Sequence, residues 1–476
     1  MDVEQRPSQQ DQAPDAPVSP LSSREGSLFT PLAYEHFRIV WIAAFFSFIG
    51  SWFEFVGAQW IVGDETESTA WMSHLGTAQL LPCLFLGLIG GVIADRMNRR
   101  KLLVITQALM MIIALGFALA VWTNHATPIV LFQLALAQGI VTAFNSPAWQ
   151  VLVPRLVPRK ELYKAITLQG ISFNSARAIG PAVAGLIMGW AGAGTLFAAN
   201  ALGFICVMIA VMKTPDAPAP VRPDDDAHWI RTIWSDTKAA MVFLFRNSGP
   251  RAAFFATLIF GFFATPVLRF LPLTVKLVYG ESERAFGIMT GIMGAGAVVG
   301  GLAIKHVPQW YPKHHLIPLS VLLGGVWILA FSLTDDILLA ACFMFFVGFF
   351  WMWAFNTSMG ALQLLVPDHM RGRVLSVVNT LALGLMPLGA YFSTAMGKVV
   401  ASGVKTWHAE WWTPGLETQS GVACAALVTI GAGLVMITWR TPEVDGIKPG
   451  DRGYDKEPGL IRGIRAFAHR PTTDNL

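Results

Sequence analysis

Three ionisable side chains stand deep inside long apolar runs of this chain: Glu54, Arg177 and Arg269. A charge in such surroundings is costly unless it meets a partner or a wet cavity, so each marks a place where a proton or a polar ligand is handled. Glu54 is a carboxyl that can take up and release a proton. Arg177 offers a guanidinium to an anionic or oxygen-rich ligand, or else pairs with Asn174 and backbone carbonyls. Arg269 lies between Pro266 and Pro272, at a place in the second half of the chain that corresponds to Glu54 in the first. Opposite charges at similar depth are expected to meet across a shared space as a gate that protonation of Glu54 would weaken. Local contacts of each within its own half are the plainer alternative. Bond-making chemistry has no signature here. His314-His315 lacks the H-E-x-x-H spacing, no G-x-x-x-x-G-K-S/T loop occurs, and Cys83, Cys206, Cys342 and Cys424 fall singly in apolar runs. No catalytic residue, metal site or cofactor is therefore expected. An ion gradient, with protons as the coupling ion, is the expected energy source.

The elements that must position these groups follow from composition. Of 476 residues, 54% are hydrophobic and 13% charged, and the mean hydropathy is +0.52. Water-soluble domains carry about 25% charged residues, so this is a polytopic helical membrane protein with the lipid bilayer as a partner. A net charge of +4 confined to alternate loops sets orientation in the membrane and gives no reason to expect nucleic acid. The loops alternate in sign. Acidic turns carry Asp64, Glu65 and Glu67, then Glu281 and Glu283, then Asp335 and Asp336. Basic turns carry Arg155, Arg159, Lys160 and Lys164, and later Arg371 and Arg373. Lys276, Arg284, Lys398 and Lys405 are exceptions near the acidic side.

Twelve transmembrane helices satisfy this alternation with both termini on the basic, cytoplasmic side. The spans fall at about 37–62, 71–94, 102–122, 128–153, 165–190, 195–212, 251–278, 285–305, 316–333, 337–366, 374–400 and 420–439. The expected organisation is a disordered cytoplasmic tail at 1–34, a six-helix bundle at 35–213 and a cytoplasmic linker at 214–250. A second six-helix bundle at 251–439 and a cytoplasmic tail at 440–476 complete it. Within the linker Ile230, Ile233, Trp234, Met241, Leu244 and Phe245 recur at helical spacing, as in an amphipathic helix lying on a membrane or bundle surface. An internal repeat supports two parallel halves. Ala143-Phe144-Asn145 precedes Gln150 to Pro154, and Ala354-Phe355-Asn356 precedes Gln363 to Pro367, each at the end of its half's fourth span. A substrate site is then expected between the halves near the bilayer midplane. Candidate lining residues are Trp52, Gln138, Asn145, Asn174, Trp353 and Asn356, although Trp residues also face lipid and amides also join helices.

Two motifs are more specific. Between the second and third spans the chain reads GLIGGVIADRMNRRK, placing Gly91, Asp95, Arg96, Arg99 and Arg100 in a very short basic turn. In the fifth span Ser172 to Pro181 reads SFNSARAIGP, with Arg177, Gly180, Pro181 and then Gly185. Together with Gly50-Ser51-Trp52 and Arg371-Gly372-Arg373-Val374, these stretches resemble the major facilitator superfamily. The branch they resemble is that of bacterial exporters related to siderophore exporters and macrolide efflux proteins. The resemblance implies an all-α fold of two six-helix pseudo-repeats. It implies secondary active export of a small amphipathic molecule by alternating access, in a bacterial cytoplasmic (inner) membrane. A monomer is expected. The resemblance also implies that Asp95 and the arginines of its turn stabilise one conformation, and that the glycine-proline motif bends the fifth span and lets it pack closely. Ala184 stands where the fuller motif has Gly. Metabolite uptake, uniport, or a sensor or assembly role on the same scaffold are the alternative readings.

Overall fold

The computed structural model describes residues 27–215, 229–307 and 315–439, and no strand occurs among them. Lipid offers no hydrogen bonds, so each crossing segment must satisfy its backbone internally and adopts a helix. The order is α1 (Glu35–Thr66), α2 (Thr69–Arg96), α3 (Arg99–Trp122), α4 (Pro128–Leu152) and α5 (Leu162–Met212). After a polar stretch come α6 (Trp229–Arg246), α7 (Ser248–Arg269), α8 (Leu271–Leu277) and α9 (Glu283–Ala303). The chain continues through α10 (Leu316–Ser332), α11 (Ile337–Leu365), α12 (Asp368–Trp407) and α13 (Leu416–Ile437).

Among the described residues nine helical segments are long and apolar enough to cross a membrane, and α10 is a shorter one. The longest, α5, contains two traverses. Its axis turns at Gly192, whose φ of 77° and ψ of 166° are open to glycine without steric cost. With α2 counted and α8 continuing α7, the described residues make twelve traverses in two bundles, α1–α5 and α7–α13. Short polar turns end the helices where the sequence placed charges. Asn98 caps α3 by accepting from the Lys101 N–H at 3.2 Å, and Asp336 caps α11 by accepting from the Leu338 and Leu339 N–H groups.

One bundle end carries the acidic turns and the other the basic turns; they are called here the acidic and basic faces. The last residues of the tail expected at 1–34 are structured. Residues 27–34 form a turn with Pro31 and Ala33 buried, because Leu28, Leu32 and Tyr34 join Phe37, Val157 and Leu168 in an apolar cluster at the basic face. The rest of that tail, most of the linker before α6 and the tail at 440–476 lie outside the described residues.

The bundles meet along two helix pairs, α5 with α9 and α2 with α12. The first pair depends on missing side chains. A Cβ on Gly185 would lie 2.5 Å from the Gly287 Cα, and one on Gly291 would lie 2.5 Å from the Ala182 Cβ. Small residues let helix backbones approach within a membrane, where the hydrophobic effect does not drive them together.

Candidate functional site

Inside the α1–α5 bundle a cavity of about 470 Å³ runs from the midplane toward the basic face. Its deep end is formed by Glu54, Phe55, Gln79 and Arg269, and its other end reaches Trp149 and Gln150, within a turn of the end of α4. Between them Gln107, Gln138 and Asn145 supply amides while Phe48, Phe173 and Phe204 supply aromatic wall. That mixture suits a ligand with one polar end and an apolar body. Glu54 is the one carboxyl and Arg269 the one cation among the lining residues.

The direct pair of Glu54 with Arg269 expected from the sequence is absent here. Glu54, 6% exposed, accepts a hydrogen bond from the Asn200 Nδ2 at 2.8 Å. Arg269, also 6% exposed, donates from Nη1 to the Gln79 Oε1 at 2.9 Å. With the Gln59 amide oriented to match its surroundings, its nitrogen donates to the Arg269 carbonyl at 3.2 Å and its oxygen accepts from the same Nη1. The reason is geometric: each charge is nearer an amide on a neighbouring helix than it is to the other. The Phe55 ring centroid lies 5.2 Å from the Arg269 Cζ, and Gly76 leaves room for the guanidinium, since a Cβ there would come within 3.0 Å of it. The residue closes α7 just before the break at Phe270, where Pro272 starts α8. The carbonyl end of a helix favours a cation at that position.

Of the remaining expected lining residues, Gln138 and Asn145 do line the cavity. Asn145 also donates to the Thr106 hydroxyl on α3 at 2.8 Å. Trp52, Trp353 and Asn356 are not among its lining residues. Trp52 packs on Gly180 of α5, and Trp353 donates its indole N–H to the Gly300 carbonyl at 2.7 Å, joining α11 to α9. Both rings are spent on helix packing. The side chain of Asn174 lies outside the described residues. Arg177 sits over the Trp351 ring at 5.3 Å, a contact between bundles. Sequence reasoning missed Asn200, Gln59 and Gln107. A lone amide in an apolar run was their only signal.

The acidic face is closed across the bundles. The Lys276 Nζ on α8 meets the carboxylates of Asp64 in the last turn of α1 and of Glu67 just after it at 2.8 and 2.9 Å, and also donates to the Asp64 carbonyl. Arg284 donates to the Gly189 carbonyl at 2.9 Å, and Thr69 donates to the Glu417 carboxylate. Deeper, the Ser73 and Thr394 hydroxyls lie 3.1 Å apart and His74 meets the Tyr391 hydroxyl at 2.6 Å. Two of the basic residues that broke the charge alternation, Lys276 and Arg284, are thus inter-bundle clasps. At the basic face, Arg99 opens α3 and is buried, while Arg100 donates to the Met212 carbonyl at the end of α5. Burial and then the Arg99 charge hold the Arg155 guanidinium below its ordinary range. The side chains of Gly91, Asp95 and Arg96 lie outside the described residues.

A cavity within one of two six-helix bundles, reached by Arg269 of the other, narrows the fold, and comparison with known families decides it. The model of a family described as transmembrane secretion effectors matches residues 26–445. The chain belongs to this family of the major facilitator superfamily. Similar proteins include the staphyloferrin A transporter of Staphylococcus aureus, 27% identical over 73% of this chain and 86% of that one. Macrolide efflux protein A of Streptococcus pyogenes is 25% identical over 82% of this chain and 94% of its own length. The enterobactin exporter of Citrobacter koseri is 23% identical over 71% and 79%. Among solved structures, a D-xylose–proton symporter aligns with a TM-score of 0.64 at 16% identity, covering 86% of this chain and 99% of that one. An inward-facing bacterial homologue of the lysosomal transporter Spinster aligns at 0.62 and 14% identity, covering 92% and 98%. These two establish the fold. This member of the transmembrane secretion effector family is a multi-pass membrane transporter and not an enzyme.

Proposed function

We propose that the protein exports small amphipathic molecules from the cytoplasm across a bacterial cytoplasmic membrane, drawing on the proton gradient, by alternating access of one cavity. The basic face is then cytoplasmic, because loops rich in Lys and Arg are retained there. Both termini lie on that side. The carrying observation is the cavity itself, with its acidic-face end clasped and its lining continuing toward the basic face. This is the arrangement of a carrier receiving ligand from the cytoplasm.

Glu54 is assigned the proton. It is the only carboxyl among the lining residues, and Asn200 supplies a donor when it is charged and an acceptor oxygen when it is neutral. The short basic turn holding Gly91, Asp95, Arg96, Arg99 and Arg100 is assigned to biasing one of the two conformations, and Gly180, Pro181 and Gly185 to the close inter-bundle packing that must slide. Siderophores and macrolides, the substrates named for the relatives, are the compounds to try first.

The test is transport into everted membrane vesicles energised by respiration. Accumulation of a labelled macrolide or siderophore that collapses on adding an uncoupler, and that Glu54→Gln abolishes while leaving downhill exchange, is the expected result. Accumulation indifferent to the uncoupler overturns proton coupling. Uptake by right-side-out vesicles alone would reverse the direction.

A further inference from the structure

The guanidinium of Arg269 is a buried charge with no described counter-charge. It lies at the closed end of the cavity, and its described acceptors, Gln79 and Gln59, are neutral amides that share a single nitrogen, Nη1. Among the described residues no carboxylate is within ion-pair distance of it. Glu54, the carboxyl that shares the deep end of the cavity with it, accepts from Asn200 and makes no ion pair with it. The carbonyl end of α7 and the face of Phe55 ease the burial without cancelling the charge. A guanidinium carries five N–H donors in a planar fork that fits a carboxylate in two parallel bonds. The space around it is kept open by Gly76, where a Cβ would press on Nε and Cζ at 3.0 Å.

We infer that Arg269 is the anion-binding subsite of the cavity, and that carboxylate-bearing molecules among those carried present that group to it with their apolar body along Phe48, Phe55 and Phe173. This rests on reading the cavity as the transport site and goes further by naming the charge of the ligand and the residue that selects it. Arg177, the other arginine within a span, is occupied with Trp351 between the bundles and does not compete for this role.

The experiment uses two probes of one shape, 2-naphthoate and its neutral counterpart 2-naphthamide. Each is titrated calorimetrically into the full chain in phosphatidylcholine nanodiscs, so that no anionic lipid competes. A charge-assisted pair should make naphthoate bind at least about tenfold more tightly than naphthamide. In Arg269→Gln the two probes should bind alike, with naphthamide within about twofold of its wild-type affinity, which also reports that the variant is folded. Arg269→Lys should keep part of the preference, because the charge stays and the fork is lost. Gly76→Val, which crowds the guanidinium without touching its charge, should weaken naphthoate alone. Equal affinities in the wild type, or a preference surviving in Arg269→Gln, overturns the assignment while leaving the cavity a binding site. Binding of neither probe overturns the assignment together with the reading of the cavity.

Discussion

Glu54 and Arg269 reach into one cavity from different helices, and each is satisfied by an amide in place of the other. The amides therefore decide what the two charges are free to do. Asn200 is wholly buried, and replacing it with Leu removes the described donor of Glu54. Asn200→Leu should lower stability by about 1–3 kcal/mol, the cost of leaving a buried polar group unmade. Thermal unfolding of the purified variant measures it, and pairing with Glu54→Leu should give less than the sum, since either change removes the same Glu54–Asn200 bond. At this scale the sequence was half legible. Charges inside apolar runs announce themselves because they are expensive, which is why Glu54, Arg177 and Arg269 stand out unaided. Their partners do not. Gln59, Asn200 and Gln107 are ordinary amides whose role depends on which helix comes alongside. Aromatic residues mislead for a related reason: a Trp within a span serves lumen, lipid or packing equally well, and Trp52 and Trp353 prove to be packing residues.

The helices are held at two kinds of place, and their strengths differ. Where α5 crosses α9, the backbone contact at Gly185 and Gly287 admits no side chain, so any larger residue must push the bundles apart. At the acidic face the Lys276 clasp is polar and partly exposed, 29% for Lys276 and 53% for both carboxylates. Exposed pairs contribute about 0–1 kcal/mol each, so this clasp biases the closed face without locking it. Trp60 on α1 stacks on Phe286 of α9 at 6.1 Å, just inside that closure. In a cysteine-free background, Trp60→Cys should react with a membrane-impermeant maleimide about two- to fivefold faster once Lys276→Gln is added, the change that one weak pair permits. An unchanged rate would remove Lys276 from the closure. Helix placement was legible because apolar runs of membrane length have one stable outcome. The kink at Gly192 was not: the sequence reads there as a short turn between two spans, and only the backbone shows one helical path bent at a glycine. Lys276 and Arg284 read as exceptions to the charge rule, and their purpose needs the partner bundle alongside.

For the whole molecule, the fold puts weak polar clasps at one face, close glycine contacts within two helical turns of them, and a cavity extending toward the other face. The proposed alternating access would exchange an opening at one face for an opening at the other by rocking of the two bundles about the α5–α9 and α2–α12 contacts. The pseudo-repeat was visible in the paired Ala-Phe-Asn motifs, whereas the side on which the cavity is closed follows only from contacts between halves. The most direct test measures both faces at once by spin-label distances in nanodiscs. One labelled pair replaces Glu65 and Glu281 at the acidic face; the other replaces Tyr163 and Leu364 at the basic face, all exposed or loop-facing positions in different bundles. Lys276→Glu sets three carboxylates against one another at the clasp. Rocking predicts that this change lengthens the acidic-face distance and shortens the basic-face distance in the same population of molecules. A lengthened acidic-face distance with the basic-face distance unmoved would contradict it.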